Sequence, residues 1–323
     1  MVNNKAVFII PQFGKFRNYF QLFLNSAEKN PDYNWLIFTD DREQYKFPEN
    51  VEVHYMEFSE FKAMVQSKFD FKVSIEYPYR IADFKPAFGY IFSEYITNYK
   101  FWGYCDSDLI FGQISHFWND KVLEKTDKIG MFGHATLIRN EKKFREAFKE
   151  PIDGVEVYKK VFTENQNHSF DEEFNNSINN IFLNKKYRVD FTEHQANTYT
   201  KTSNLFLTSY DFENNTYYIS REKNLFIYRD GGVYNVTLNS NNEIVETEYL
   251  YIHFQSRKMK ENVNNSAYYK IIPNSFEDLQ TDLMTRADYR AEKKKHFNLH
   301  YFKLRTFNLK VKISRKVGRL LKW

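Results

Sequence analysis

The sequence predicts an α/β fold, a mixed sheet flanked by helices with a basic amphipathic helical tail at the C-terminus. Three observations carry this. Strand-length apolar runs alternate with helical periodicity from the N-terminus, acidic residues gather where those runs end, and the cationic charge is segregated at the far end of the chain.

KAVFII (5 to 10) reads as a buried first strand, followed by the loop Pro11-Gln12-Phe13-Gly14. Phe16, Phe20, Phe23, Leu24 and Ala27 then recur at helical spacing until Asn30-Pro31 stops the pattern. NWLIFTDD (34 to 41) and NVEVHYM (50 to 56) read as the second and third strands, so the chain opens with a strand, helix, strand unit. Residues 57 to 69 and 84 to 97 have helical patterns, and YKFWGYC (99 to 105) is a fourth strand that runs into Asp106-Ser107-Asp108. Ligands gather beyond the carboxyl ends of strands in open α/β sheets, and both Asp40-Asp41 and Asp106/Asp108 fall at such ends.

The second half is less regular. KIGMFGHATLIRN (128 to 140) contains a strand, NEKKFREAFKE a short helix, and DEEFNNSINNIFLN (171 to 184) a further helix with Phe174, Ile178, Ile181 and Phe182 on one face. NLFIYRDGGVYNV (224 to 236) holds a hairpin turn at Asp230-Gly231-Gly232, and ETEYLYIHF (246 to 254) is a late strand. With no Pro, Gly or Ser-rich linker and no internal repeat, the expected organisation is one domain over 1–290 and a tail over 291–323.

Aromatics make up 19% of the 323 residues, with 33 Phe and 24 Tyr. They suit either a core poor in aliphatics or the stacking of sugars and bases. Cys105 is the only cysteine, which excludes an internal disulfide and any cysteine-based zinc site. VFII is too short for a signal-peptide core, so the expectation is a cytoplasmic chain. The formal charge of +4 hides an asymmetry: Lys293 to Trp323 carries 11 Lys and Arg and no acid, leaving 35 basic against 42 acidic residues elsewhere. An anionic surface is the implied partner of the tail.

On an extended segment Asp106 and Asp108 point to the same side, where two carboxylates repel unless a cation neutralises them. Either they are turn residues at a strand end, or they hold Mg²⁺ or Mn²⁺, hard cations that bridge protein carboxylates and substrate phosphates. YRIADFKPAFGYIFSEYITNYKFWGYCDSDLIFG (79 to 112) resembles the Arg-x-x-Asp-Phe, helix, aromatic strand, Asp-x-Asp block of bacterial polysaccharide-locus glycosyltransferases of the GT-A fold. GHATLIRN (133 to 140) and YIHFQSRKM (251 to 259) resemble two later segments of those proteins.

The resemblance implies a GT-A-like, Rossmann-like sheet and a metal-dependent transfer of a hexose from a nucleotide sugar, a UDP-sugar first, to a lipid-linked glycan in capsule or cell-surface polysaccharide synthesis. It implies that Asp106 and Asp108 hold the metal, Asp108 most directly, with His253 completing the coordination. It places Arg80 and Asp83 against the nucleotide or donor sugar. Where related enzymes often carry Arg three residues after that Asp, this chain has Pro86, and Lys85 is the neighbouring source of charge.

His253 also reads as an ordinary strand histidine. Lys258, like Arg257, reads either as a diphosphate contact or as a solvated loop cation, and Asp40 as a ribose or base contact or as a strand-end cap. Asp171, with Glu172 behind it, is the candidate base of an inverting reaction, although acids are also favoured at a helix start. A retaining reaction needs no such base. His134 is a candidate acceptor contact.

Leu309, Ile313, Val317, Leu320 and Leu321 share one face of a helix whose other faces carry Lys310, Arg315, Lys316, Arg319 and Lys322. Residues 297–323 are therefore expected on an anionic membrane, which puts the chain on the inner face of the plasma membrane; packing on its own domain and a dimer contact are the alternatives. A nucleic-acid-binding protein using the basic tail is a competing class, but the acidic body lacks an RNA-recognition signature and no nucleic acid is expected. A phosphatase using the first Asp would have Gly-Thr after the pair, where Leu109-Ile110 stands. A nucleotide-binding scaffold without turnover is a further alternative.

Overall fold

The structure is a computed structural model that describes residues 5–279 and 285–320, with side chains in the last helix described as far as residue 314. The chain divides into two compact units: residues 1–107, 114–193 and 211–216 form the first, and residues 108–113, 194–210 and 217–323 the second. This division cuts within the Asp-x-Asp triplet and places the tail helices in the second unit, whereas the sequence suggested a boundary near 290.

The first unit is built on a mixed sheet. Strands β1 (Ala6–Gln12), β2 (Tyr33–Thr39), β3 (Val51–Tyr55) and β4 (Phe101–Cys105) are parallel, with β1 between β2 and β4. All five residues of β4 are buried, and Trp102 and Tyr104 pack with Phe84, Phe88 and Phe92 in one aromatic core. After β4 the chain leaves for β5 (Leu109–Phe111), then returns as an antiparallel pair, β6 (Lys128–Phe132) and β7 (Ala135–Arg139), with β8 (Val189–Asp190) beside β6. β7 pairs antiparallel with β4, so the sheet order is β3-β2-β1-β4-β7-β6-β8. The α/β class and mixed sheet expected from the sequence are observed.

The second unit holds two further sheets. β9 (Gln195–Thr198), β10 (Leu207–Asp211) and β11 (Thr216–Ser220) lead into β12 (Phe226–Arg229), β13 (Gly232–Leu238) and β14 (Ile244–Tyr249). β15 (Tyr251–His253) follows after one residue, and β16 (Lys260–Asn262), β17 (Tyr268–Ile272) and β18 (Ser275–Asp278) complete the set. β15 lies between β9 and β5 in a five-stranded sheet, while β14-β13-β12-β17-β18-β16 form a six-stranded one. The β12–β13 hairpin turns through Asp230 and Gly231 at φ of 46° and 90°, left-handed conformations that Asp and Gly adopt at low cost. Helices Arg286–Lys295 and Leu299–Leu320 follow.

Four local expectations are corrected. The helix over 84–97 is a 3-10 helix, Pro78–Ala87, followed by one α-turn, Phe88–Ile91, because Pro86 has no N–H to continue an α-helical ladder. The single strand in 128–140 is the pair β6 and β7. The single strand in 246–254 is split at Leu250 into β14 and β15, which join different sheets. The helix over 171–184 begins only at Ile178, capped by Ser177, since Ser169, Glu173 and Asn176 all have positive φ that no α-helix accepts.

Candidate metal and donor site

In the first unit, β4 delivers Asp106 one residue past its end, where the Asp106 N–H donates to the His134 carbonyl at 3.1 Å. The Asp106 carboxylate accepts from Lys85 Nζ at 2.7 Å, and the same ammonium donates to the Gly133 carbonyl at 2.9 Å and lies 3.4 Å from Asp171 Oδ2. Burial opposes the Lys85 charge, but Asp106 and Asp171 together outweigh it and raise the lysine pKa.

Asp171 is only 4% exposed, and burial pushes its carboxyl pKa up to about 8 against the pull of Lys85. Burial likewise raises the Glu172 pKa, opposed by Lys85 and by the Gly133 N–H that donates to Glu172 Oε2 at 3.2 Å. Any side chain at Gly133 would displace the Asp171 carboxylate, because a Cβ would stand 2.0 Å from Asp171 Oδ2. The helix-dipole account of this acidic run falls away with the helix. The three acids lie in an irregular turn, and Asp171 shares the largely enclosed Lys85 ammonium with Asp106.

In the second unit, Asp108 opens the segment that becomes β5, and antiparallel pairing of β5 with β15 sets His253 opposite Leu109. His253 Nε2 stands 3.3 Å from Asp108 Oδ1, with both side chains buried. Its other nitrogen, Nδ1, is 3.1 Å from Asn197 Oδ1, which also accepts from Gln255 Nε2 at 2.8 Å. Parallel pairing of β15 with β9 puts Asn197 beside His253. Gln255 and Ser256 both have left-handed φ, 47° and 57°, and this turn aims the Ser256 N–H at Asp108 Oδ2 in a short hydrogen bond. Burial alone would raise the Asp108 pKa, but His253 and the Ser256 N–H hold it below the usual carboxylate range.

The hydrogen bonds assign the histidine's protons. An amide oxygen is only an acceptor, so Nδ1 carries the hydrogen that Asn197 receives. A neutral imidazole then presents the Nε2 lone pair to an ionised carboxylate, and two acceptors 3.3 Å apart require a proton or a metal cation to reconcile them. A carboxylate and an imidazole with its remote nitrogen fixed are a donor set that suits a divalent metal.

The other residues picked out in the sequence are placed differently. Arg80 and Asp83, 0% and 1% exposed, are corrected from nucleotide contacts to an internal brace. Arg80 pairs with Asp83 and donates to the Val161 and Glu164 carbonyls at 2.7 and 2.9 Å, while Asp83 accepts the His168 and Phe170 N–H groups at 3.0 and 3.1 Å. The brace therefore fixes the backbone just ahead of Asp171. Asp40 accepts the Gly14 N–H at 2.6 Å and Asp41 the Phe16 N–H at 3.0 Å, so this acidic pair shapes the loop after β1.

Arg257 is buried and donates to the Pro273, Ser203 and Tyr199 carbonyls, which makes it a staple rather than a phosphate ligand. Lys258 is exposed with Nζ 4.7 Å from the Phe307 ring centre. His134 is buried and stacks on Phe132.

Two residues escaped the sequence reading. Asn197 looks like any polar residue of a short strand, and only the β9–β15 register shows that it orients His253. Lys128 is fully buried and donates to Asn179 Oδ1 at 2.7 Å, and burial pushes its pKa down to about 7 against the Asp171 charge. A lysine opening the apolar run KIGMF was the available signal.

Two solved structures of a galactosyltransferase, LgtC, are similar in part. One is its complex with donor and acceptor sugar analogues, at 13% identity and a TM-score of 0.34, covering 60% of this chain and 75% of that one. The other is an active-site mutant, at 13% identity and a TM-score of 0.33, covering 60% and 74%. Likeness at this level leaves function to be read from the site itself. No curated protein matches the chain. A family model does, over residues 8–280, and the chain belongs to that family, DUF6625, a family of unknown function.

Proposed function

We propose that this protein is a metal-dependent glycosyltransferase that moves a sugar from a nucleotide donor, a UDP-sugar, to a lipid-linked glycan during cell-surface or capsule polysaccharide synthesis. The observation that carries the reading is the approach of Asp108 and His253 with Asn197 holding the far side of the imidazole. Asp106, two positions before Asp108 in the sequence, is proposed as a further carboxylate for the same metal. Mn²⁺ or Mg²⁺ held there would supply positive charge to a departing diphosphate.

The chain's own residues do the rest. Asp108 and His253 offer ligand atoms whose orientation the Ser256 N–H and Asn197 set in advance. Lys85 neutralises Asp106 and spans to Asp171, so the acidic ends of two segments are held by one cation. Asp171 is the candidate base for an inverting reaction: its pKa of about 8 is matched to proton exchange near neutrality, and the Arg80–Asp83 brace fixes the backbone that carries it.

Peripheral attachment to the inner face of a membrane belongs to the same proposal. Among the described residues no helix is long and apolar enough to cross a membrane. Leu309 and Ile313 are more than half exposed on the last helix, which supports a surface contact through 297–323; the side chains of Val317 and Leu320, and all of Leu321 and Trp323, lie outside what is described.

The test is a thermal-shift panel of nucleoside diphosphates and UDP- or GDP-sugars with and without Mn²⁺, repeated on Asp108→Ala. A stabilisation that needs both Mn²⁺ and one nucleotide class, and is lost in the variant, is expected. No metal-dependent shift with any donor would sink the reading.

A further inference from the structure

Within the second unit lies a cavity of about 260 Å³ that shares no lining residue with the Asp108–His253 pair. Its walls mix two characters. Leu205, Pro273, Phe297 and Tyr301 make it apolar, and Lys223, Lys293, Lys294 and His296 make it cationic, with no acidic residue among the described lining residues. The acid next along the chain, Glu292, is already engaged with Lys270 and Lys295, each at 2.5 Å.

Two of the lysines are held in place. Lys293 donates to the Lys223 carbonyl, Lys223 Nζ lies 5.3 Å from the Phe297 ring centre, and the Tyr301 hydroxyl donates to Asn204 at 3.2 Å. His296 is 4% exposed, and its Nε2 is buried without a hydrogen-bond partner among the described residues. A buried polar nitrogen left unmatched costs about 1–3 kcal/mol, which an incoming acceptor would recover. Burial, followed by Lys223, pushes the Lys293 pKa down to about 8, the sign of cationic charge lacking a counter-charge. Phe297 lines the cavity and is also half exposed, so an apolar chain has a route along it to the surface. Beyond it Phe302, Phe307, Leu309 and Ile313 are exposed on the last helix.

We propose that this cavity binds a phosphate group esterified to an apolar chain, the phosphate on Lys223, Lys293, Lys294 and His296 and the chain along Leu205 and Phe297. Anion charge answers the uncompensated lysines, the neutral imidazole can donate from Nε2, and apolar walls favour an amphiphile over a free ion. At 260 Å³ the cavity lies just below the usual range for small-molecule sites, room for a phosphate monoester and the first carbons of its chain. The proposal does not depend on the glycosyltransferase reading.

Calorimetric titration of the full chain with dihexanoyl phosphatidic acid, inorganic phosphate and dihexanoylglycerol tests it. Saturable binding of the phosphatidic acid is expected, at least about tenfold tighter than inorganic phosphate, with no binding of the uncharged glyceride. Lys223→Gln with Lys294→Gln should weaken the lipid about tenfold or more with the circular dichroism unchanged. Phe297→Ala, at a half-exposed position, should weaken the lipid far more than inorganic phosphate, and it decides the matter should the double variant fail to fold. No saturable lipid binding, equal affinity for inorganic phosphate, or variants that bind as the native chain does would each overturn the proposal.

Discussion

The two aspartates of one triplet have opposite electrostatic situations. Asp106 has a permanent partner, the Lys85 ammonium, which the protein supplies whatever else is bound. Asp108 faces a histidine whose charge is conditional, and its remaining support comes from neutral backbone N–H groups, that of Ser256 and its own. A carboxylate with a fixed counter-charge belongs to the protein's internal wiring. One whose counter-charge must be delivered is where an external cation has most to gain.

The largest expected effect breaks this comparison directly. Asp108→Ala should abolish Mn²⁺ binding, measured by calorimetry, and with it any sugar transfer. Asp106→Asn should weaken the metal without eliminating it, since Asp108 and His253 stay in place. Equal losses in the two variants would show that the difference in surroundings has no functional meaning.

Arg80→Ala comes next and sharpens the contrast from the other side. Arg80 and Asp83 form a fully buried pair, and removing one member of such a pair costs about 3–5 kcal/mol because the remaining charge is left uncompensated. Chemical denaturation should show that loss, while metal affinity per folded molecule stays within about twofold of native. A variant of native stability would mean that the pair is not the brace its bonds describe.

A third, smaller effect is read from pH. Lys128 has a folded pKa of about 7, against about 10.4 in an unfolded chain. Between those values the unfolded state binds more protons, so stability rises with pH from about 7 to about 10, by at most about 1.4 kcal/mol per pH unit. Lys128→Met should flatten this rise in denaturation curves taken across that range. An unchanged slope would assign the dependence to other groups.

Much of this was legible in the sequence, and what was missed has physical causes. The opening strands and β4 were readable because burial on both faces demands unbroken apolar runs such as AVFII and FWGYC. Arg80 and Asp83 stand out in sequence with equal force whether they hold a nucleotide or each other, and only burial separates the two. The start of the helix at Ile178 was missed because three residues before it adopt positive φ without being glycine. ETEYLYIHF reads as one strand since its apolar pattern continues across Leu250, where the chain changes sheets.

Asn197 shows most clearly what sequence cannot carry. It stands 56 residues from His253, and their meeting depends on the β9–β15 register, which no local pattern encodes. By accepting the Nδ1 proton it leaves Nε2 as the ligand atom, and partners of this kind typically contribute about 10–100-fold to metal affinity. Asn197→Ala should therefore weaken Mn²⁺ by about that factor, less than the loss of Asp108, with the fold kept because Gln255 can turn to solvent. Asn197→Asp discriminates further: a carboxylate accepts the same proton and should retain most of the affinity, whereas alanine cannot. Two variants equally impaired would point to packing at β9. An impaired alanine with a rescued aspartate would point to the histidine's orientation, and hence to the conditional charge that sets Asp108 apart from Asp106.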